Sequence, residues 1–169
     1  MVKSRKVEKK ALFLDRDGVI NKKPPEHDYV KSWDEFELLP DVISAVLLAR
    51  DKGYFVIVIS NQRGISRKLM RTEVVDGIHK NLNEILKRNG TYIDAFYLCP
   101  HDIPDNCECR KPKPGLIMKA ALDFDIDLGK SFYIGDSQTD YQAGVAAGVR
   151  TALIETNGSL LHAVKGILN

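Results

Sequence analysis

Ala11-Leu12-Phe13-Leu14-Asp15-Arg16-Asp17-Gly18, residues 11–18, decides how the rest of the chain is read. An unbroken apolar run of this length reads as a strand buried on both faces. It ends in two aspartates one residue apart, then a glycine. Asp15 and Asp17 therefore stand at the carboxyl end of a strand, where open α/β sheets place their ligands. Two carboxylates this close repel unless a cation or proton lies between them. Gly18 allows a sharp turn just beyond. The pattern suits Mg²⁺-assisted phosphoryl chemistry, one carboxylate acting as nucleophile and the other as acid and base.

A calcium loop also opens Asp-x-Asp, and Glu26 falls at its twelfth position. Its fifth and sixth positions would be Val19 and Ile20, where an oxygen ligand and a glycine are required. No entering helix precedes it. A solvated Asp-Gly turn without chemistry is the plainer alternative, and the rest of the chain argues against it.

The chain has 169 residues, 44% hydrophobic and 28% charged, with a net charge of +2. That suits one domain over 1–169 with a real core. The charge balance gives no case for nucleic acid or a membrane surface as main partner. Lys3, Arg5, Lys6, Lys9 and Lys10 make the start basic, read as a solvated tail. No signal-peptide h-region follows, because Asp15 interrupts the apolar run. A cytoplasmic protein is expected, and a monomer.

Strand-like runs lie at 11–15, 54–60, 92–98, 131–135 and 149–154, with helical patterns between them. Pro40-Asp41 opens a helix ending near Lys52, with Gly53 as stop. Val74, Val75, Ile78, Leu82, Ile85 and Leu86 have helical spacing, with Thr72 as N-cap and Gly90 as stop. Leu116, Ile117, Ala120, Ala121 and Phe124 form another helical face. Gln138 to Ala147 reads as a short helix closed by Gly148. Strands alternating with helices predict an α/β fold, a Rossmann-like three-layer sandwich with a mainly parallel sheet. Residues 19–39 are too many for a simple connection and are read as a flap near the site.

In a parallel sheet the strands end at one edge. Asp15 and Asp17 end the first, Ser60-Asn61-Gln62 the second, and Gly135-Asp136 a later one. Arg110-Lys111-Pro112-Lys113-Pro114-Gly115 precedes a helix. Three acids at one edge would hold a hard divalent cation, and a hydroxyl, an amide and a basic cluster would hold an anion beside it. A phosphate ester with Mg²⁺ needs that combination. Singly each element is weak; their shared order and position carry the reading.

The strand with Asp15-x-Asp17-Gly18, then Ser60, then a lysine, then Gly135-Asp136-x-x-x-Asp140, resembles the haloacid dehalogenase-like phosphatases. Asp15-Arg16-Asp17-Gly18-Val19-Ile20-Asn21, Asn61-Gln62-Arg63-Gly64-Ile65 and Cys99-Pro100-His101 leading to Cys107-Glu108-Cys109-Arg110-Lys111-Pro112 resemble its small capless group, which contains heptose bisphosphate phosphatases and the histidinol-phosphatase domain. The resemblance implies that Asp15 attacks phosphorus and forms an aspartyl-phosphate, and that Asp17 is acid and base. Asp15, Asp136 and the backbone carbonyl of Asp17 would hold Mg²⁺. Ser60 and Lys111 would hold the phosphoryl group, with Lys113 open as the alternative lysine. Asn61, Gln62 and Arg110 would contact substrate, as would His27 and Tyr29 of the flap.

All three cysteines lie within eleven residues, Cys99-x-His101-x5-Cys107-x-Cys109. Three thiolates and an imidazole match a closed, structural Zn²⁺ site. An odd count cannot all pair as disulfides. The last ligand, Cys109, precedes Arg110-Lys111, so the metal would stiffen the loop that carries both cations. His79 and His162 read as structural or surface residues.

The resulting expectation is a Mg²⁺-dependent phosphatase acting on a small sugar bisphosphate, D-glycero-D-manno-heptose 1,7-bisphosphate at C7. The alternative is histidinol phosphate, an amino-alcohol ester. A phospho-receiver signalling module is a different-class alternative, disfavoured because Asp15 heads the first strand. A zinc-structured interaction protein is the other.

Overall fold

The computed structural model describes residues 8–168. The start of the expected basic tail, Lys3, Arg5 and Lys6, lies outside them. Five strands form one parallel sheet: β1 (Lys10–Leu14), β2 (Tyr54–Asn61), β3 (Ala95–Cys99), β4 (Phe132–Gly135) and β5 (Arg150–Leu153), in the order β3-β2-β1-β4-β5. The helices are α1 (Val42–Asp51), α2 (Thr72–Arg88), α3 (Gly115–Phe124), α4 (Gln138–Ala147) and α5 (Leu160–Leu168).

Strand alternation splits the core into two layers. Leu12, Leu14, Val56 and Val58 face α1, α2 and α5, whose Val42, Val46, Leu82, Leu86, Leu160 and Val164 complete that layer. Ala11, Phe13, Ile57 and Ile59 face α3 and α4 through Leu116, Ile117, Ala120 and Ala143. Leu12, Phe13 and Leu14 are fully buried, each worth about 1.5–3 kcal/mol on transfer from water. This is the expected three-layer sandwich. Among the described residues, no helix is long and apolar enough to cross a membrane.

Strand order reverses between β1 and β4, its neighbour returning from the far side of the sheet. Open α/β sheets form their ligand crevice at such a point. Asp15 follows β1 and Asp136 follows β4, so the topology itself brings these acids together. Gly18 closes the turn after β1 at φ +94°, and a Cβ there would run into the Asp136 carboxylate. Gly18→Ala is expected to lower Tm and to abolish most activity, because both the left-handed strain and the collision act on the crevice. A variant with normal Tm and normal turnover would refute this.

Three local expectations are corrected. Arg71, not Thr72, is the N-cap of α2, with no side-chain cap bond. The strand expected at 92–98 spans 95–99, because Asn83 holds Ile93 through its N–H and carbonyl and Arg50 pairs with Asp94. Helix α5 was not expected at all, although Leu160, Val164, Ile167 and Leu168 carry its spacing.

Candidate active site

Lys111 lies at the centre of the crevice. Its three N–H groups are shared among four oxygens in reach: Asp15 Oδ1 (2.8 Å), Asp140 Oδ1 (2.6 Å), the Ile59 carbonyl (3.0 Å) and the Tyr133 hydroxyl (3.1 Å). The Tyr133 hydroxyl donates in turn to Asp140 Oδ1 (2.8 Å). Burial alone would lower the Lys111 pKa, but Asp15, Tyr133 and Asp140 outweigh it and hold the ammonium charged, well above the usual lysine range. Burial, with the Asp140 and Asp17 charges, raises the Asp15 carboxyl to about 7 despite Lys111. Two carboxylates crowd one ammonium here, and that excess charge favours a further cation.

Asp140 was quoted only as part of a motif, yet it is fully buried. Its Oδ2 accepts from the Asp136 and Ser137 N–H groups (both 3.1 Å) and from Ser137 Oγ (2.7 Å), a capping box at the start of α4. Both its oxygens are engaged, so it anchors Lys111 and the Asp136 turn. Its signal in the sequence was Ser137-x-x-Asp140, a capping-box spacing.

The structure places the two lysines differently. Lys113 turns outward to Asn106 Oδ1 (3.1 Å) and Glu108 Oε1 (2.7 Å). Lys111→Met is expected to cost about 3–5 kcal/mol, since it strands two carboxylates beside each other in the interior. Lys113→Met is expected to cost under about 1 kcal/mol, as its pair is exposed. Urea unfolding of the two variants checks this; equal losses would refute it.

Asp15, Asp136 and Asp140 each bring an oxygen within 4.8 Å of the others. Asp136 Oδ2 accepts from Thr156 Oγ1 (2.8 Å) and Lys23 Nζ (2.7 Å), while its Oδ1 is buried with no hydrogen-bond partner among the described residues. A buried, partnerless carboxylate oxygen on a residue clustered with two other acids fits a hard divalent cation. Thr156 and Lys23 were both missed, as they approach from a distant loop and from segment 19–39.

Asp17 turns away from that cluster. Its Oδ1 accepts from Arg16 Nε (3.1 Å), Arg16 Nη2 (2.9 Å) and Asn21 Nδ2 (2.9 Å), and its Oδ2 from Gln62 Nε2 (3.0 Å). Burial would raise its carboxyl, but the Arg16 charge and these hydrogen bonds prevail and hold it below its ordinary value. Gln62 Nε2 also donates to Ser60 Oγ (2.8 Å), so Ser60, Gln62 and Asp17 line one wall.

The expected substrate contacts divide. Asn61 is a staple for the lysine: its Nδ2 donates to the Lys111 carbonyl (3.2 Å), and its Oδ1 accepts from the Lys111 N–H (3.1 Å). Tyr29 accepts from Arg63 Nε (2.7 Å). His27 is not brought to the Asp15 cluster; it stands exposed beside Glu26 (3.6 Å) at φ +67°. Arg110 reaches only the His101 carbonyl (3.2 Å) among the described residues. With Lys111, Lys113, Ile103, Asn106 and Thr139 it borders a cleft of about 290 Å³.

Cys99, His101, Cys107 and Cys109 offer ligand atoms all within 4.8 Å of one another. The sulfur separations are 3.2–3.6 Å, and His101 Nδ1 lies 3.2 Å from Cys109 Sγ. Tetrahedral Zn²⁺ with Zn–S bonds of about 2.3 Å sets sulfurs about 3.8 Å apart, so the cluster is compact enough to close on the ion. Asp102 ties this loop to Arg67 (2.7 Å), linking it to the turn after β2.

A family model described as polynucleotide kinase 3 phosphatase matches residues 10–150. The D-glycero-beta-D-manno-heptose-1,7-bisphosphate 7-phosphatase of Bordetella bronchiseptica is 36% identical over 159 residues, covering 94% of this chain and 88% of that one. The Helicobacter pylori protein of the same name is 39% identical over 152 residues, covering 89% and 86%. Among solved structures, D,D-heptose 1,7-bisphosphate phosphatase from B. bronchiseptica, complexed with magnesium and phosphate, aligns with a TM-score of 0.81. Its identity is 30%, over 94% of this chain and 98% of that one.

Proposed function

This chain belongs to the haloacid dehalogenase-like phosphatases and is a phosphoric monoester hydrolase, and from that premise we propose that it removes the 7-phosphate of D-glycero-D-manno-heptose 1,7-bisphosphate through an aspartyl-phosphate on Asp15. The observation carrying the mechanism is the buried Lys111 between Asp15 and Asp140, which cluster with Asp136. The substrate rests on relatives of that name at 36–39% identity.

Asp15 attacks phosphorus while Lys111 and Ser60 hold the transferring oxygens. Asp17, held ionised by Arg16 and its hydrogen bonds, first takes a proton, which the monoanionic form of the phosphate ester can bring, and then delivers it to the departing sugar oxygen, a poor leaving group when unprotonated. Asp17 then takes a proton from the water that attacks the acyl-phosphate, which frees phosphate and restores the Asp15 carboxylate. Asp15, Asp136 and the Asp17 carbonyl would hold Mg²⁺, which would supply charge neutralisation at the reacting phosphoryl group. Zn²⁺ held by Cys99, His101, Cys107 and Cys109 would have no open position and would serve structure alone.

We take the cleft beside Lys111 as the seat of the far phosphate of a bisphosphate, with Arg110 as the cation at its border, since Lys113 is tied to Glu108 and the neighbouring Asp102 to Arg67. Arg110→Ala is therefore expected to raise KM about 10-fold or more while kcat changes by less than about 3-fold. Equal loss in both would remove Arg110 from substrate binding. The deciding experiment compares kcat/KM for heptose 1,7-bisphosphate and histidinol phosphate. A clear preference for histidinol phosphate overturns the substrate and leaves the hydrolytic chemistry standing.

A further inference from the structure

Arg16 stands between the two aspartates, and its side chain is completely buried. A guanidinium so placed must find partners for its donors. Two of its nitrogens are spent on one carboxylate: Nε and Nη2 reach Asp17 Oδ1 at 3.1 and 2.9 Å, and Nη2 also reaches Oδ2 at 3.2 Å. The third, Nη1, lies 3.4 Å from Nε2 of His79. His79 is buried on α2 and stacked on Phe96 of β3, ring centroids 4.3 Å apart and 10° from parallel. Burial and the Arg16 charge push His79 down to about 3, against a smaller opposing pull from Asp17. The ring is therefore neutral, and its Nε2 can accept from Arg16. Phe96, His79, Arg16 and Asp17 thus form a continuous line from the sheet edge to the crevice.

The two Asp17 oxygens are not equivalent in this line. Oδ1 accepts three hydrogen bonds, two from Arg16 and one from Asn21. Oδ2 accepts only two, the Arg16 one being the longest of the set, and it lies on the Gln62 and Ser60 side. A carboxylate oxygen already accepting three donors is a poor site for a proton, so exchange belongs to Oδ2.

We propose that Arg16, braced by His79, is a positioning residue for phosphoester cleavage: together with Asn21, its fork saturates Oδ1 of Asp17 and presents Oδ2 to the leaving oxygen of the substrate. The proposal rests on Asp17 being the acid and base of the reaction. Lysine cannot replace this fork, because a single ammonium holds no carboxylate plane in place. An apolar residue at this position would leave one hydrogen bond on each oxygen, from Asn21 and Gln62, to hold the carboxylate.

The test separates leaving groups. Nitrophenolate departs without a proton, whereas a sugar alkoxide needs one, and kcat/KM reports only the steps through the first phosphoryl transfer. Arg16→Lys is expected to lower kcat/KM for the sugar phosphate about 10- to 100-fold, and for 4-nitrophenyl phosphate by less than about 3-fold. Asp17→Asn is the reference and is expected to show the same split, larger. If Asp17→Asn shows no split, the acid and base reading fails. If Asp17→Asn splits and Arg16→Lys lowers both substrates equally, or neither, the positioning proposal alone fails. His79→Leu keeps an apolar contact with Phe96 and removes the brace, so it serves where Arg16→Lys does not fold. It is expected to show a split of several-fold in the same direction, and its absence overturns the proposal.

Discussion

Asp15→Asn is expected to lower kcat by at least about 10³-fold on every phosphate ester, because an amide cannot form the acyl-phosphate. Acid-quenched variant, mixed with substrate, is expected to carry no phosphoryl group, whereas the parent protein carries one on Asp15. Stability moves the other way. Burial raises the Asp15 carboxyl to about 7, so its ionised form is disfavoured by folding. That cost is absent at low pH, grows as the pH rises above the unfolded carboxylate value, and levels off above about 7. The neutral amide avoids it, and Lys111 keeps Asp140 as its partner. In buffer free of divalent metal, the Tm of Asp15→Asn at pH 8 is therefore expected to equal or exceed that of the parent. An active variant would end the covalent mechanism; an inactive one with a collapsed Tm would show that Asp15 serves the fold instead.

One tightly held zinc per chain is expected from metal analysis of untagged protein purified without chelator. Cys107→Ser leaves three ligands and is expected to lose the metal, lower Tm and raise KM for a sugar bisphosphate about 10-fold or more. Structural zinc is worth about 10–16 kcal/mol in peptides that fold only around it. Here the sheet folds by burying its own two layers, so the loss falls on the loop from Cys99 to Cys109. That loop also carries Asp102, which grips Arg67, and it leads directly into Arg110 and Lys111. Turnover of a small ester that ignores Arg110 is expected to stay within about 10-fold of the parent. Protein free of zinc at full activity would refute the site.

What the sequence determined by itself was whatever repeats locally or is carried by spacing. Apolar runs and helical stripes gave the alternation of strands and helices, because burial on one face forces that period. Asp15-x-Asp17-Gly18 and Gly135-Asp136 were legible as strand ends, since the chain must turn where the apolar run stops. The Cys99, His101, Cys107 and Cys109 cluster was legible because its ligands lie close along the chain. Helix α5 had the same kind of signal in Leu160, Val164 and Ile167, too brief to stand out without a neighbour to pack on.

Only the tertiary structure decided where side chains in irregular segments point. Only the resemblance separated Lys111 from Lys113 in the sequence; in the fold one is buried among Asp15, Tyr133 and Asp140, and the other turns to Glu108. Asn61 proved to hold the Lys111 backbone, and His27 stood outside the Asp15 cluster. Arg16 was quoted in a motif but given no role, yet it is buried between Asp17 and His79, sixty-three positions along the chain. The reason is common to all of them. Backbone period dictates direction inside a strand or helix, whereas beyond their ends a polar side chain takes the direction of whichever partner the assembled fold brings within reach.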